Sequence, residues 1–97
     1  MTERMVEVKI PYGLHLRPAS KLADVVLCFK VKGIIYHKDS EINIGSVLNM
    51  VATGIRNGEV VKIQCKGNTE EQEKAALDCI ESILSNPNTR IWNIVYF

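Results

Sequence analysis

Two β-prone segments, Val31 to His37 and Glu41 to Ile44, follow one another with only Lys38-Asp39-Ser40 between them. The pair breaks the strict strand–helix alternation that would indicate a parallel sheet. The other elements are read around it. Val6, Val8 and Ile10 alternate with Glu7 and Lys9, which predicts a half-buried strand over Met5 to Ile10 that Pro11-Tyr12-Gly13 ends. Ala19, Leu22, Ala23 and Val26 keep helical spacing, and Pro18 belongs in the first turn, so this helix starts near His15 or Leu16. Ser46 reads as the N-cap of a short helix with Leu48, Val51 and Ala52 on one face, closed by Gly54. Asn57-Gly58 is a turn signal before a strand over Val60 to Cys65. Thr69-Glu70-Glu71-Gln72 is a capping box, and Ala76, Cys79, Ile80 and Ile83 form the apolar stripe of a last helix that Asn86-Pro87-Asn88 stops. The order β-α-β-β-α-β-α predicts an α+β fold, a four-stranded antiparallel sheet with three helices on one face.

The length of 97 residues holds one core and leaves little room for a substrate pocket beside it. Twelve Lys and Arg against eleven Asp and Glu give no field suited to direct nucleic-acid binding. No apolar run approaches the ~20 residues of a membrane span, so no membrane insertion is expected. The start, Met1-Thr2-Glu3-Arg4, lacks the apolar run of a signal peptide. Cys28, Cys65 and Cys79 match no zinc or redox spacing and read as buried, reduced thiols of a cytoplasmic protein. No metal site is expected: His37, at a strand end, has no ligand partner near it in sequence and reads as a surface residue. The apolar tail from Asn88 to Phe97 does not fit a closed domain, so the division is a domain over residues 1–87 and a tail over 88–97. Packing on the body, pairing as an edge strand and self-association are the readings of that tail.

The chemistry concentrates in Gly13-Leu14-His15-Leu16-Arg17-Pro18-Ala19-Ser20. An imidazole stands at a helix N-terminus, an Arg lies two residues on, and Pro sets the first turn. Neutral imidazole is a nucleophile near neutral pH. Unpaired N–H groups and the positive end of the helix dipole favour an anion. Arg17 supplies charge-assisted donors suited to phosphoryl oxygens, and Gly13 allows a backbone turn that exposes the His. A phosphohistidine is favoured there without a pocket, a metal or a cofactor.

This octapeptide resembles the active-site signature of the HPr family, the histidine-containing phosphocarriers of the bacterial sugar phosphotransferase system: Gly, an aliphatic residue, His, a small residue, Arg, Pro, Ala. The order of elements resembles the family's open-faced β-sandwich, and Ser46 to Ile55, Gly58 and Val60 to Cys65 align with it without gaps from His15 onward. The resemblance covers roughly residues 4 to 85 and implies a covalent carrier rather than a free-standing enzyme. By it, His15 accepts a phosphoryl group on Nδ1 from phosphorylated enzyme I and passes it to sugar-specific enzyme IIA domains. Arg17 steadies the phosphoryl charge, with Leu16, Arg17 and Pro18 as the cradle. Leu16, Val47, Leu48 and Val51 resemble the docking patch, and core packing is the other reading of the last three.

By the same resemblance, Ser46 is a place for regulatory phosphorylation by HPr kinase/phosphorylase, after which the protein partners a catabolite-control transcription factor. A phosphate at a helix N-cap gains from the backbone N–H groups, and Ser is also simply a good cap. Two positions depart from the pattern. Leu16 stands where the family usually carries Thr or Ala, and Gly45 stands where kinase substrates often carry Lys. The alternative is a regulatory paralogue acting mainly through Ser46, against which His15 speaks. An unrelated small phosphate enzyme would need a pocket and a general acid, and the motif has no Asp or Glu beside it.

Overall fold

A computed structural model describes residues 1–85; the predicted helix stop at Asn86-Pro87-Asn88 and the apolar tail lie outside the described residues. The elements run β1 (Thr2–Glu7), α1 (Leu16–Phe29), β2 (Lys32–His37), β3 (Ser40–Asn43), α2 (Val47–Ala52), β4 (Val60–Lys66) and α3 (Glu70–Ser85). The four strands form one antiparallel sheet in the order β1-β4-β2-β3, as the α+β reading requires. The predicted hairpin is present, with Ile35 opposite Ile42 and His37 opposite Ser40.

Strand parity sorts the sheet into two faces. Val6, Gly33, Ile35, Ile42, Val61, Ile63 and Cys65 are buried beneath the helices, where they meet Leu22, Met50, Leu77, Ile80 and Leu84. The opposite face carries Glu3, Met5, Ile34, Tyr36, Lys62 and Gln64. Its polar groups satisfy one another: the Tyr36 hydroxyl donates to Gln64 at 3.2 Å, and the Gln64 amide donates to Glu3 at 2.6 Å. One face is therefore packed and the other wet, as antiparallel sheets allow.

Three expectations are corrected. The first strand spans Thr2–Glu7 rather than Met5 to Ile10. Val8 and Ile10 keep their burial outside the ladder, while polar Thr2 and Arg4 join it because α3 provides partners. Arg4 donates to Asp78 at 2.7 Å and to Glu81 at 2.9 Å, and the Thr2 hydroxyl donates to Glu73 at 2.7 Å. His37 is buried, not a surface residue. It continues the inward parity of Gly33 and Ile35, and its Nε2 lies 2.5 Å from a Glu59 carboxylate oxygen. That bond is the main reason the Glu59 carboxyl is held below its usual range. The cysteines are not uniformly buried: Cys65 is, Cys79 is intermediate, and Cys28 is exposed because it falls off the apolar stripe of α1. Burial pushes the Cys65 thiol up to about 11, which keeps it protonated and inert.

Candidate functional site

The site is the N-terminal end of α1 and the loop that delivers the chain to it. A turn over Ile10 to Gly13 is closed by the Gly13 N–H donating to the Ile10 carbonyl at 2.9 Å. Gly13 has φ +78, and a Cβ added there would stand 2.5 Å from the Ile55 carbonyl oxygen and 3.2 Å from the Arg56 Cα. Glycine is thus required twice, for its dihedral and for the close approach of two backbones. The next residue locks the approach: the Leu14 N–H donates to the Ile55 carbonyl at 3.0 Å, and Leu14 is buried.

His15 follows as the N-cap of α1, in an extended conformation (φ −104°, ψ −171°) and exposed. Its carbonyl accepts the first intrahelical bond, from the Ala19 N–H at 3.1 Å, while its ring makes no capping bond. Pro18, at the third helical position, is fully buried and has no N–H. Pro18 therefore shapes the turn and offers no donor. The backbone N–H groups of the first turn are those of Leu16 and Arg17, which precede the first i to i−4 bond of the helix, made by Ala19. The first turn holds no acidic residue, so nothing acidic there opposes an anion.

Arg17 is exposed beside the imidazole in sequence. Lys21 lies one helical turn further and is buried; burial, and then the Arg17 charge, pull its ammonium below the usual lysine range. This second cation was not picked out from the sequence, although its spacing of four from Arg17 on one helix was the available signal. Arg56 was missed too, since nothing local shows that its backbone would lie against Gly13.

The apolar residues expected to dock a partner divide. Leu16, Leu48 and Val51 are exposed (60%, 79% and 36%), whereas Val47 packs against the core. A turn-and-a-half helix on the sheet buries only one side, so Met50 goes inward and Leu48 outward. Tyr12, which no sequence pattern singles out, is 98% exposed in the turn that precedes the motif helix. Ser46 caps α2 as predicted, accepting the Asn49 N–H at a long 3.4 Å. It precedes the buried Met50 by one helical turn and is itself partly exposed.

Residues 2–86 match the PTS-HPr family, described as the PTS HPr component phosphorylation site. The chain belongs to the HPr family. Its members are the phosphocarriers of the phosphotransferase system, and the fold of this chain is the one the family resemblance implied. The chain is 37% identical over 76 residues to the phosphocarrier protein HPr of Mycoplasma genitalium, covering 76% of this chain and 86% of that one. It is 29% identical over 77 residues to the HPr-like protein Crh of Halalkalibacterium halodurans, covering 79% and 92%. The crystal structure of HPr-C-His from Thermoanaerobacter tengcongensis matches with a TM-score of 0.72 at 32% identity, over 86% of this chain and 94% of that one. Among the described residues no group of three or more His, Cys, Asp and Glu could hold a metal, and no helix is long and apolar enough to cross a membrane.

Proposed function

We propose that this chain carries a phosphoryl group on His15, receiving it from phosphorylated enzyme I and passing it to enzyme IIA domains. The observation that carries the reading is an exposed imidazole at the N-cap of α1 whose ring does not cap the helix, next to a first turn that holds no acidic residue. In the transfer, the lone pair of Nδ1 on the neutral ring attacks phosphorus, and the bond from phosphorus to its donor atom on enzyme I breaks. The electron pair of that bond stays with the donor atom, and the His15 ring keeps its proton on Nε2. The added charge meets the N–H groups of Leu16 and Arg17, the helix dipole and the Arg17 guanidinium. Pro18 keeps that turn short of further donors and in shape. Leu16, Leu48 and Val51 offer the apolar surface on which donor and acceptor domains dock in turn.

A second reading is favoured by the position of Ser46 and by the likeness to Crh: phosphorylation of Ser46 by HPr kinase/phosphorylase, with a catabolite-control transcription factor as partner. Among the described residues its hydroxyl accepts one long capping bond, so a phosphate would give up little and gain the helix N-terminus.

One experiment addresses both. The protein is incubated with phosphoenolpyruvate and enzyme I, and acid-labile phosphate is sought. Label on the wild type and none on His15→Ala is the expected result; an unlabelled wild type beside a labelled control HPr overturns the carrier reading. Label from ATP and the kinase, absent in Ser46→Ala, supports the second.

A further inference from the structure

His37 is a polar ring in a place that an apolar side chain would fill. It ends β2 on the inward parity of Gly33 and Ile35, and it is buried. A buried polar ring costs free energy unless it is bonded, and apolar side chains in place of a buried charged pair are often no less stable. What the ring adds is direction. The Glu59 carboxylate is held low, first by His37 and also by the Arg56 backbone, so it only accepts. The His37 Nε2 therefore carries the hydrogen of the 2.5 Å bond between them.

That bond ties β2 to a turn. Arg56-Asn57-Gly58-Glu59 is closed by the Glu59 N–H donating to the Arg56 carbonyl at 3.2 Å, with Gly58 at φ +97. Arg56, Asn57 and Gly58 are exposed, so core packing does not hold the turn. Yet the turn, with Ile55 before it, supports the approach to His15 at both ends. At the far end the Gly58 N–H donates to the Val8 carbonyl at 2.6 Å, and the Val8 N–H donates to the Glu59 carbonyl at 2.8 Å. At the near end the Leu14 N–H donates to the Ile55 carbonyl at 3.0 Å, and Gly13 lies against the backbone of Ile55 and Arg56. His15 comes next, and its ring makes no capping bond of its own, so the backbone beside it decides where the ring stands. From this we infer that His37 is a positioning residue for His15: through Glu59 it fixes the turn against which Gly13 and Leu14 rest. The inference rests on the carrier role of His15. Its leverage is that a reacting group misplaced by about 1 Å can cost ~10²-fold in rate.

Three variants test it. Glu59→Ala cuts the tie from the partly exposed side, His37→Phe cuts it while keeping the inward place filled, and His37→Gln keeps an N–H donor. Enzyme I phosphorylates each from phosphoenolpyruvate over a range of carrier concentration. Glu59→Ala and His37→Phe are expected to lower the maximal rate about tenfold and to shift the half-saturating concentration less than about twofold, and His37→Gln to stay near wild type. A wild-type maximal rate in folded Glu59→Ala overturns the inference, as does a Gln variant as impaired as Phe. Amide hydrogen exchange reads positioning without transfer. In Glu59→Ala the Leu14 N–H is expected to exchange about tenfold faster, a larger change than at buried Leu77 of α3, which reports global opening. Equal changes at the two sites, or none at Leu14, overturn the positioning role even if the wild type takes no label. The absence of label by itself counts against the carrier reading alone.

Discussion

The N-termini of α1 and α3 pose the same backbone problem and meet it in opposite ways. At α3 every device is used. The Thr69 hydroxyl accepts the Gln72 N–H at 3.1 Å, and the Gln72 side chain accepts the Asn68 N–H at 2.7 Å and donates to the Phe29 carbonyl at 2.5 Å. Glu70, Glu71 and Glu73 place negative charge against the dipole. Glu73 also accepts the Gly67 N–H at 2.8 Å and the Thr2 hydroxyl at 2.7 Å, joining three parts of the chain. At α1 the cap is a His whose ring makes no capping bond, the first turn has no acid, and an Arg stands where α3 has a Glu. Caps and first-turn acids stabilise helices. Leaving them out at α1 gives up stability and keeps the positive end of the helix clear of acidic side chains. The difference separates an end that holds the fold from an end suited to receive a charged group.

Three predictions bear on this comparison. The largest effect is expected at α1. Arg17→Ala should slow phosphoryl transfer from enzyme I by ~10²-fold, as loss of one preorganised charge-stabilising group does, while the urea midpoint stays close to wild type. A variant that loses transfer only because it is unfolded at assay temperature would break the division of labour.

At α3 the effect should appear in stability and follow pH. The Gly67 N–H, the Thr2 hydroxyl and the N-terminal ammonium hold the Glu73 carboxyl down at about 2, against an ordinary value of 4.5. A carboxyl depressed in the folded state adds stability above its unfolded pKa, and that stability is lost as pH falls toward the folded value. Glu73→Gln should therefore unfold earlier than wild type at neutral pH, and the gap should close between pH 4.5 and about 2 in parallel denaturation series. A gap independent of pH would assign the loss to geometry rather than charge. Phosphoryl transfer at neutral pH should be unaffected wherever the variant is folded.

The smallest effect is Thr69→Ala. Removing the α3 cap should cost about 1 kcal/mol, read from denaturant midpoints at constant slope, with transfer to His15 unchanged. A fall in transfer at full occupancy of the folded state would show that the two ends are coupled.

Much of the molecule is legible without coordinates. The hairpin, the element order, the caps at Ser46 and Thr69, Gly54 and Gly58 in their turns, and the motif around His15 all depend on residues within a turn or two of one another. Local sterics and hydrogen bonding decide such features, so they are written in adjacent residues. Other features depend on what another segment brings. His37 is buried because Glu59 comes to meet it, and Arg4 and Thr2 join a strand because α3 supplies acceptors for them. Leu48 is exposed and Val47 is not because a short helix can turn only one side to the sheet. Tyr12 has a positive φ and a bare ring, neither of which its place in Pro11-Tyr12-Gly13 signals. The sequence by itself determined which helix begins at a His, with an Arg and no acid in its first turn, since that is written in adjacent residues. Only the tertiary structure decided which apolar residues surround that place, because exposure is set by the neighbours that a residue fails to find.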